Sequence, residues 1–326
     1  MQRWRGLSEV PAGWGRCVVT IGVFDGVHLG HAELITKAVK TAAQQGLPCV
    51  VLTFDPHPSE VIRPGSHPPV LTTVPRKAEL LEQLGVDALC VLPFTVTFSR
   101  LSPAEFAHET LVDGLHAATV LVGENFTFGF KAEGDVAELT RIGATFGFSV
   151  QGVGLVAGAD ATLSATYVRS CVEAGDVEAA GQALGRPFRL DGVVVRGDQR
   201  GRLLGYPTAN LRLDRYAAVP ADGVYAGRAV RLDEWGGTVG RGELAARDVS
   251  DPWLAVAAVS VGTNPTFEGK HRQVEAFLLD FDGDLYGEGL GLEFTHRLRG
   301  MEKFDSVDDL IVQMADDVAR ARELVT

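Results

Sequence analysis

The sequence has no stretch approaching the roughly 18 consecutive apolar residues that a membrane span requires, and its first residues hold no long apolar core of a secretory signal. It also has no run of Lys and Arg. With 30 basic against 42 acidic residues and a formal net charge of −12, the chain argues against a nucleic-acid partner. Phosphate-backbone binding needs a concentrated basic surface, whereas a nucleotide needs only a few local cations. Cysteine is scarce: Cys17, Cys49, Cys90 and Cys171 stand singly among apolar neighbours with no C-x-x-C spacing. That pattern implies core thiols of a reducing compartment, and the expectation is a cytoplasmic protein. No G-x-x-x-x-G-K-[ST] is present, which rules out a P-loop. No internal repeat or low-complexity tract stands out. What remains is an ordinary globular composition, 46% hydrophobic and 22% charged, over 326 residues, enough for two domains.

One segment carries most of the chemistry. Gly22-Val23-Phe24-Asp25-Gly26-Val27-His28-Leu29-Gly30-His31 joins an apolar strand-like run, Cys17 to Ile21, to a helix whose Leu34, Ile35, Ala38, Val39 and Ala42 recur at helical spacing until Gly46. A turn at a helix N-terminus offers unpaired N–H groups and the positive end of the helix dipole to a phosphate. Gly26 and Gly30 let backbone approach closely, and the two imidazoles can reach charged oxygens. Two histidines could equally bind a metal, which needs a third ligand, or form an unremarkable surface turn.

The first half alternates strand-like and helix-like segments. Strands are expected at 49–54, 88–92, 119–122 and 148–156. Helices are expected at 76–84 after Pro75, from the Ser102-Pro103-Ala104-Glu105 capping box towards Val112, and at 135–146. Such alternation predicts βαβ units and an open parallel sheet, with ligands at the carboxyl ends of the strands. The pattern changes near residue 186. Short apolar segments at 192–196, 223–227, 255–261 and 273–279, separated by Gly, Pro, Asn and Asp turns, predict an antiparallel sheet or small barrel. Residues 233–252, rich in Gly and charge, read as a long mobile hairpin loop. A closing helix is capped by Ser306 and Asp309, with an apolar stripe of Leu310, Ile311, Met314, Val318 and Ala321. The linker is placed within residues 181–188, giving domains at 1–184 and 185–326. Asp280-Phe281-Asp282-Gly283-Asp284 imitates a calcium loop, but its Gly falls at the fourth place and Gly291 stands where the closing Glu belongs. Gly152-Val153-Gly154 has no helix directly after it, so a dinucleotide fingerprint is unsupported.

Three further segments sit at successive strand ends or helix starts of the first half: Asp55-Pro56-His57-Pro58, Gly123-Glu124-Asn125-Phe126-Thr127-Phe128-Gly129, and Leu163-Ser164-Ala165-Thr166-Tyr167-Val168-Arg169. Alone, each reads as a rigid turn, an aromatic-anchored loop or an N-cap. The second half holds Gly197-Asp198-Gln199-Arg200-Gly201-Arg202-Leu203-Leu204-Gly205-Tyr206-Pro207-Thr208-Ala209-Asn210. There too lie Pro220 to Tyr225, Ser260 to Phe267, Val274-Glu275 and Arg299-Gly300-Met301-Glu302-Lys303-Phe304. Taken together and in this order, from about Val18 to the last helix, the chain resembles the bacterial bifunctional riboflavin kinase/FMN adenylyltransferases. The resemblance implies an α/β fold, with an N-terminal Rossmann-like nucleotidyltransferase domain followed by an antiparallel β-barrel kinase domain and a terminal helix.

The residues allow a kinase without a P-loop. Gly197 and Gly201 can supply backbone N–H groups over phosphates. Thr208 and Asn210 offer two neutral oxygens suited to Mg²⁺, which keeps waters and takes substrate phosphates as ligands. Glu275 lies in an otherwise apolar strand, where a carboxylate is unfavourable unless paired or pointing into a site. By resemblance Glu275 is the general base that takes the proton of the ribityl 5′-hydroxyl, and Arg297 and Arg299 are expected to hold phosphate of the flavin nucleotide or order the flap. The resemblance likewise gives the ATP phosphates to His28, His31, Ser164, Thr166 and Arg169. It assigns nucleotide and flavin to Asn125 and the Asp55-Pro56-His57-Pro58 turn. The implied substrates are riboflavin, FMN and ATP, with FAD as final product. The chain departs from the family's basic-aliphatic-Ser-Ser-Thr pattern at Thr162 and Ala165. Two other readings stand beside this one: a riboflavin kinase with a degenerate first module, and a non-catalytic flavin-binding sensor. The sequence carries no signal for oligomeric state.

Overall fold

Runs rich in Val, Leu and Cys are what a strand buried on both faces requires, and they build an all-parallel sheet. Its strands are β1 (Gln2–Arg5), β2 (Cys17–Ile21), β3 (Cys49–Asp55), β4 (Ala88–Pro93), β5 (Ala117–Gly123) and β6 (Ser149–Val153), in the order β1-β4-β3-β2-β5-β6. The computed structural model describes residues 1–154, 163–197, 201, 204–233, 253–266 and 269–325. Parallel pairing puts every carboxyl end on one edge. The chain steps from β2 to β3 and β4 on one side and then to β5 and β6 on the other, so the strand order reverses beside β2. Open sheets of this kind bind ligands at such a reversal.

The connecting helices are α1 (Leu29–Gln45), α2 (Pro58–Ile62), α3 (Val74–Gln83), α4 (Pro103–Phe106) and α5 (Val136–Phe146). Gly46 ends α1 in the left-handed region, and the Ser102–Glu105 capping box starts α4 as its sequence predicts. Beyond Phe106 the helix continues as wider π turns over Ala107–Gly114, where the Leu115 N–H reaches back five residues to the Thr110 carbonyl. Leu34, Ile35, Ala38 and Ala42 of α1 are buried, as are Leu139 and Ile142 of α5. Cys17, Cys49 and Cys90 are free and buried, and burial pushes each thiol up to about 12.

The second half closes a barrel, β10-β11-β8-β7-β12-β9. The strands are β7 (Phe188–Val195), β8 (Thr208–Leu213), β9 (Gly223–Arg231), β10 (Trp253–Thr266), β11 (Gly269–Leu278) and β12 (Gly289–Arg299). Every pair is antiparallel. Two helices, α6 (Ala165–Ala174) and α7 (Val177–Leu184), precede the barrel. The terminal helix α8 (Val307–Val325) packs on it through Ala321 and Val325 against Val224, Ala226 and Leu298. Ser306 Oγ accepts the Asp309 N–H at the start of α8.

Compact units divide the chain differently from the 184/185 boundary expected of the sequence. One unit is Met1–Pro68 with Lys77–Leu163, and the other is Pro69–Arg76 with Ser164–Thr326. The physical reason is packing: α6 packs on α7, which packs on β7 and β12, with Val177, Ala180, Ala183 and Leu184 buried. Residues 234–252 of the expected hairpin loop, together with Thr162, lie outside the described residues.

Candidate functional sites

The carboxyl edge of the parallel sheet gathers the first set of motifs. Between β2 and α1 the backbone enters the left-handed region at Phe24 (φ 48°), Gly26 (φ 79°) and Val27 (φ 40°). A β-branched residue there costs on the order of 1–3 kcal/mol, and the conformation persists only where surroundings over-determine it. Only glycine takes φ near 79° without that cost, which is why Gly26 stands at the bend. The turn delivers His28 as the N-cap of α1: its Nδ1 accepts the His31 N–H at 3.3 Å. An acceptor Nδ1 fixes the neutral tautomer, so the ring proton sits on Nε2. The His28 and His31 rings stack with centroids 3.6 Å apart, and Phe24 meets His31 edge-on at 5.2 Å. A β-carbon on Gly30 would lie 3.2 Å from the His28 ring, so the glycine leaves the imidazole its place. Among the described residues no group of three His, Cys, Asp or Glu stands together to hold a metal.

At the end of β3, Asp55-Pro56 is a cis peptide. His57 caps α2 as His28 caps α1: its Nδ1 accepts the Ser59 N–H at 3.1 Å, and Pro58 begins the helix. Asn125 is exposed after β5, with Phe126 and Phe128 stacked behind it at 5.5 Å. His28, His31, Asp55, His57 and Asn125 thus share one unit and one sheet edge. Ser164, Thr166 and Arg169 belong to the other unit, at the start of α6. There Ser164 Oγ caps the helix by accepting the Tyr167 N–H at 3.2 Å, and Arg169 Nε donates to the Pro69 carbonyl at 2.7 Å.

One residue of this edge escapes motif reading. Lys77 lies on the apolar face of α3, 5% exposed, beside Ala78, Leu80 and Leu81. Its Nζ donates to the Val23 carbonyl at 2.7 Å and sits 3.4 Å from Thr53 Oγ1. Burial pulls the Lys77 pKa below the ordinary lysine range, and the carboxylates of Asp25 and Asp55 push it back up. The signal was present in the sequence, a lysine at the spacing of a buried helical stripe.

In the barrel, register does what spacing alone could not show. Asn210 pairs directly with Glu275, and Thr208 with Phe277. Directly paired residues share a sheet face, and residues two apart along a strand do too, so Thr208, Asn210 and Glu275 face the same way. Thr208 Oγ1 donates to Glu275 Oε2 at 3.1 Å. A β-carbon on Gly197 would fall 2.5 Å from the Asn210 side chain, so this glycine lets backbone lie directly on the amide. Gly201 similarly abuts the Tyr206 carbonyl. A cleft of about 450 Å³ runs alongside, between Pro207, Thr208 and Ala209 on one wall and Phe281 to Tyr286 on the other.

Arg297 and Arg299 each bond to neighbouring elements of the protein. Arg297 donates to the carbonyls of Ala174 and Asp222, both at 3.1 Å, tying α6 to the barrel. Arg299 makes a two-pronged pair with Asp317 of α8, its Nη2 2.8 Å from Oδ2.

Comparison with known proteins covers both halves. A family model described as FAD synthetase matches residues 10–167, and one described as riboflavin kinase matches residues 184–325. Curated relatives named bifunctional riboflavin kinase/FMN adenylyltransferase include those of Listeria monocytogenes and Escherichia coli K12. The first is 37% identical over 92% of this chain and 90% of its own, the second 34% over 97% and 95%. A solved structure named as a macrolide-efflux protein from Streptococcus pneumoniae superposes with a TM-score of 0.84 at 32% identity, covering 99% of both chains. Among the described residues no helix is long and apolar enough to cross a membrane. A parallel sheet with the two histidines at its strand-order reversal, a closed barrel with Thr208, Asn210 and Glu275 on one face, and relatives above 30% identity along nearly the whole length place this chain in the family of bifunctional riboflavin kinase/FMN adenylyltransferases.

Proposed function

We propose that the protein makes FAD from riboflavin in two steps at two sites. In the barrel, ATP phosphorylates riboflavin to FMN; at the sheet edge, FMN and a second ATP give FAD and pyrophosphate. The observation that carries the reading is the register that sets Glu275 opposite Asn210 with Thr208 bonded to its carboxylate.

In the kinase step the ribityl 5′-oxygen attacks the γ-phosphorus, its proton passes to Glu275, and ADP leaves. The Thr208 hydroxyl fixes the Glu275 carboxylate so that its other oxygen can accept that proton. Thr208 and Asn210 supply neutral oxygens on the base's own sheet face, and the close Gly197 backbone orients the Asn210 amide; this donor set fits magnesium. A bound magnesium ion would supply charge neutralisation on the transferring phosphates. Gly197 leaves room for the Asn210 amide, and Gly201 for the Tyr206 carbonyl.

In the adenylyl step an oxygen of the FMN phosphate attacks the α-phosphorus and pyrophosphate leaves. That nucleophile is already anionic, so the site needs positioning and charge stabilisation rather than a base. His28 presents an Nε2–H beside the N–H groups of α1, which Gly26 and Gly30 leave accessible. The Asp55-Pro56-His57-Pro58 turn and Asn125 flank it along the same edge and hold nucleotide and flavin. The family motif assigns Ser164, Thr166 and Arg169 to the ATP phosphates. Arg297 and Arg299 enter with a changed role, as anchors of α6 and α8 to the frame of the kinase site. Four buried free thiols fit a reducing compartment, which supports a cytoplasmic location.

Incubation with riboflavin, ATP and Mg²⁺, followed by chromatographic separation of the flavins, tests both halves. FMN and then FAD are expected. FMN without FAD reduces the protein to a monofunctional kinase, and neither product removes the reading.

A further inference from the structure

We propose that Lys77 is a positioning residue of the nucleotide site: its buried ammonium pins the Val23 carbonyl to the end of β3, and so holds in place the turn that carries His28 and His31. The proposal rests on reading this unit as the FMN adenylyltransferase.

A lysine is almost never fully buried unless its charge is matched, because the ammonium must leave water. On packing grounds alone a methionine would fill the same place on α3 beside Leu80 and Leu81 without that cost. The ammonium therefore has to be accounted for by what it holds. It donates at 2.7 Å to Val23, the residue immediately before the left-handed Phe24, and it sits 3.4 Å from Thr53 Oγ1. Thr53 Oγ1 itself donates to the same Val23 carbonyl at 3.0 Å, so one oxygen is gripped from two elements, α3 and β3. Two carboxylates act on the ammonium: Asp25 is buried within the turn, and Asp55 begins the Asp-Pro-His-Pro segment.

The position of this grip matters. A turn with Phe24 and Val27 at positive φ is held by its surroundings, and Val23 is one place where the surroundings take hold. Three and five residues after Phe24's neighbour Asp25, the chain reaches His28 and Gly30, whose backbone and imidazole form the anion-facing end of α1. Releasing the Val23 carbonyl lets the turn relax and shifts the imidazoles. Misplacement by about an ångström at a site that works by positioning costs on the order of 100-fold. Lys77 touches no substrate in this account; it acts through the turn.

The test uses the full-length chain with Lys77→Met, a substitution that keeps helix propensity and volume and removes the charge. FAD formation from added FMN is expected to lose about 10- to 100-fold in kcat, with smaller change in KM. Riboflavin phosphorylation should stay at the wild-type rate, and the thermal midpoint of the first unit should fall, because buried Asp25 loses the Lys77 counter-charge. Thr53→Val is expected to lower the same kcat by less, and the double variant to lose at least as much as Lys77→Met alone, since it removes both donors to one carbonyl. The imidazole resonances of His28 and His31 should move in Lys77→Met. Full-rate FAD formation by Lys77→Met overturns the proposal, as does a loss that tracks a lowered thermal midpoint and disappears on cooling. If the wild-type chain makes no FAD, the adenylyltransferase reading fails, and unmoved histidine resonances then overturn the positioning role while moved ones uphold it.

Discussion

Glu275 is a carboxylate in a strand whose neighbours Val274 and Ala276 are buried, and it is tolerable there because a hydroxyl donates to it. That arrangement separates its chemistry from its contribution to the fold. Glu275→Gln keeps the shape and an oxygen for Thr208 to bond, and removes only the capacity to take a proton. Riboflavin phosphorylation should fall by about 10²- to 10⁴-fold while adenylylation of added FMN continues at the wild-type rate, as separate initial-rate assays on the two substrates would show. A near-normal kinase rate would remove Glu275 as the base. The sequence made this residue visible because a Glu interrupts an apolar run. Lys77 interrupts one too, on α3, yet it belongs to no motif, and its meaning depends on the Val23 carbonyl, which only the folded chain brings within 2.7 Å. For Arg297 and Arg299 the sequence offered a ligand or the flap, and it could not show the carbonyls of Ala174 and Asp222 or the Asp317 carboxylate that the guanidinium groups hold in the fold.

At the scale of elements, His28 serves α1 whatever its part in the proposed reaction, since a helix start leaves N–H groups that need an acceptor and Nδ1 supplies one. Losing such a cap costs about 0.5–2 kcal/mol, and Asn is among the best replacements. His28→Ala should therefore lower both FAD formation and the unfolding midpoint of the first unit. His28→Asn should restore the midpoint and leave FAD formation low, which calorimetry and an FMN adenylylation assay together would reveal. Recovery of activity with Asn would mean that capping was the whole role of the imidazole. Elements were legible where period and punctuation agreed: α1 ends at Gly46 and α4 begins at the Ser102 capping box. They were hidden where pairing, rather than local pattern, makes the strand. β1 is four residues, Gln2–Arg5, with only Trp4 buried, and β4 gives it its partner. β8 and β12 alternate weakly and exist because the barrel closes through them. α7 is eight residues, half of them Ala or Gly, and its amphipathic face has meaning only against β7 and β12.

For the whole molecule the question is what the barrel needs in order to stand alone. The composition change near residue 186 marks where strands begin, but the second compact unit reaches back to Ser164 and takes in Pro69–Arg76. That short segment is stitched in by backbone and charge. Val70 N–H donates to the Tyr216 carbonyl at 2.6 Å, and the Ala218 N–H donates to the Val70 carbonyl at 2.8 Å. Thr73 Oγ1 donates to Asp191 at 3.1 Å, and Arg76 lies 4.0 Å from Glu293. Nearby, Arg186 is pushed down to about 10, chiefly by burial and then by the charges of Arg76 and Arg189. A chain starting at residue 185 lacks α6 and α7 and uncovers the barrel surface that buries Val177 and Leu184. Two such side chains are worth about 3–6 kcal/mol as an upper figure, a large share of the roughly 5–15 kcal/mol that holds a domain together. A fragment beginning at residue 164 keeps α6, α7 and the Arg297 contacts to Ala174, and loses only the 69–76 segment. It should fold, phosphorylate riboflavin, and unfold at a higher temperature or denaturant concentration than the fragment from 185, with full-length protein above both. Equal midpoints for the two fragments would show that α6 and α7 lend the barrel nothing, and would return the working boundary to the point where the composition changes.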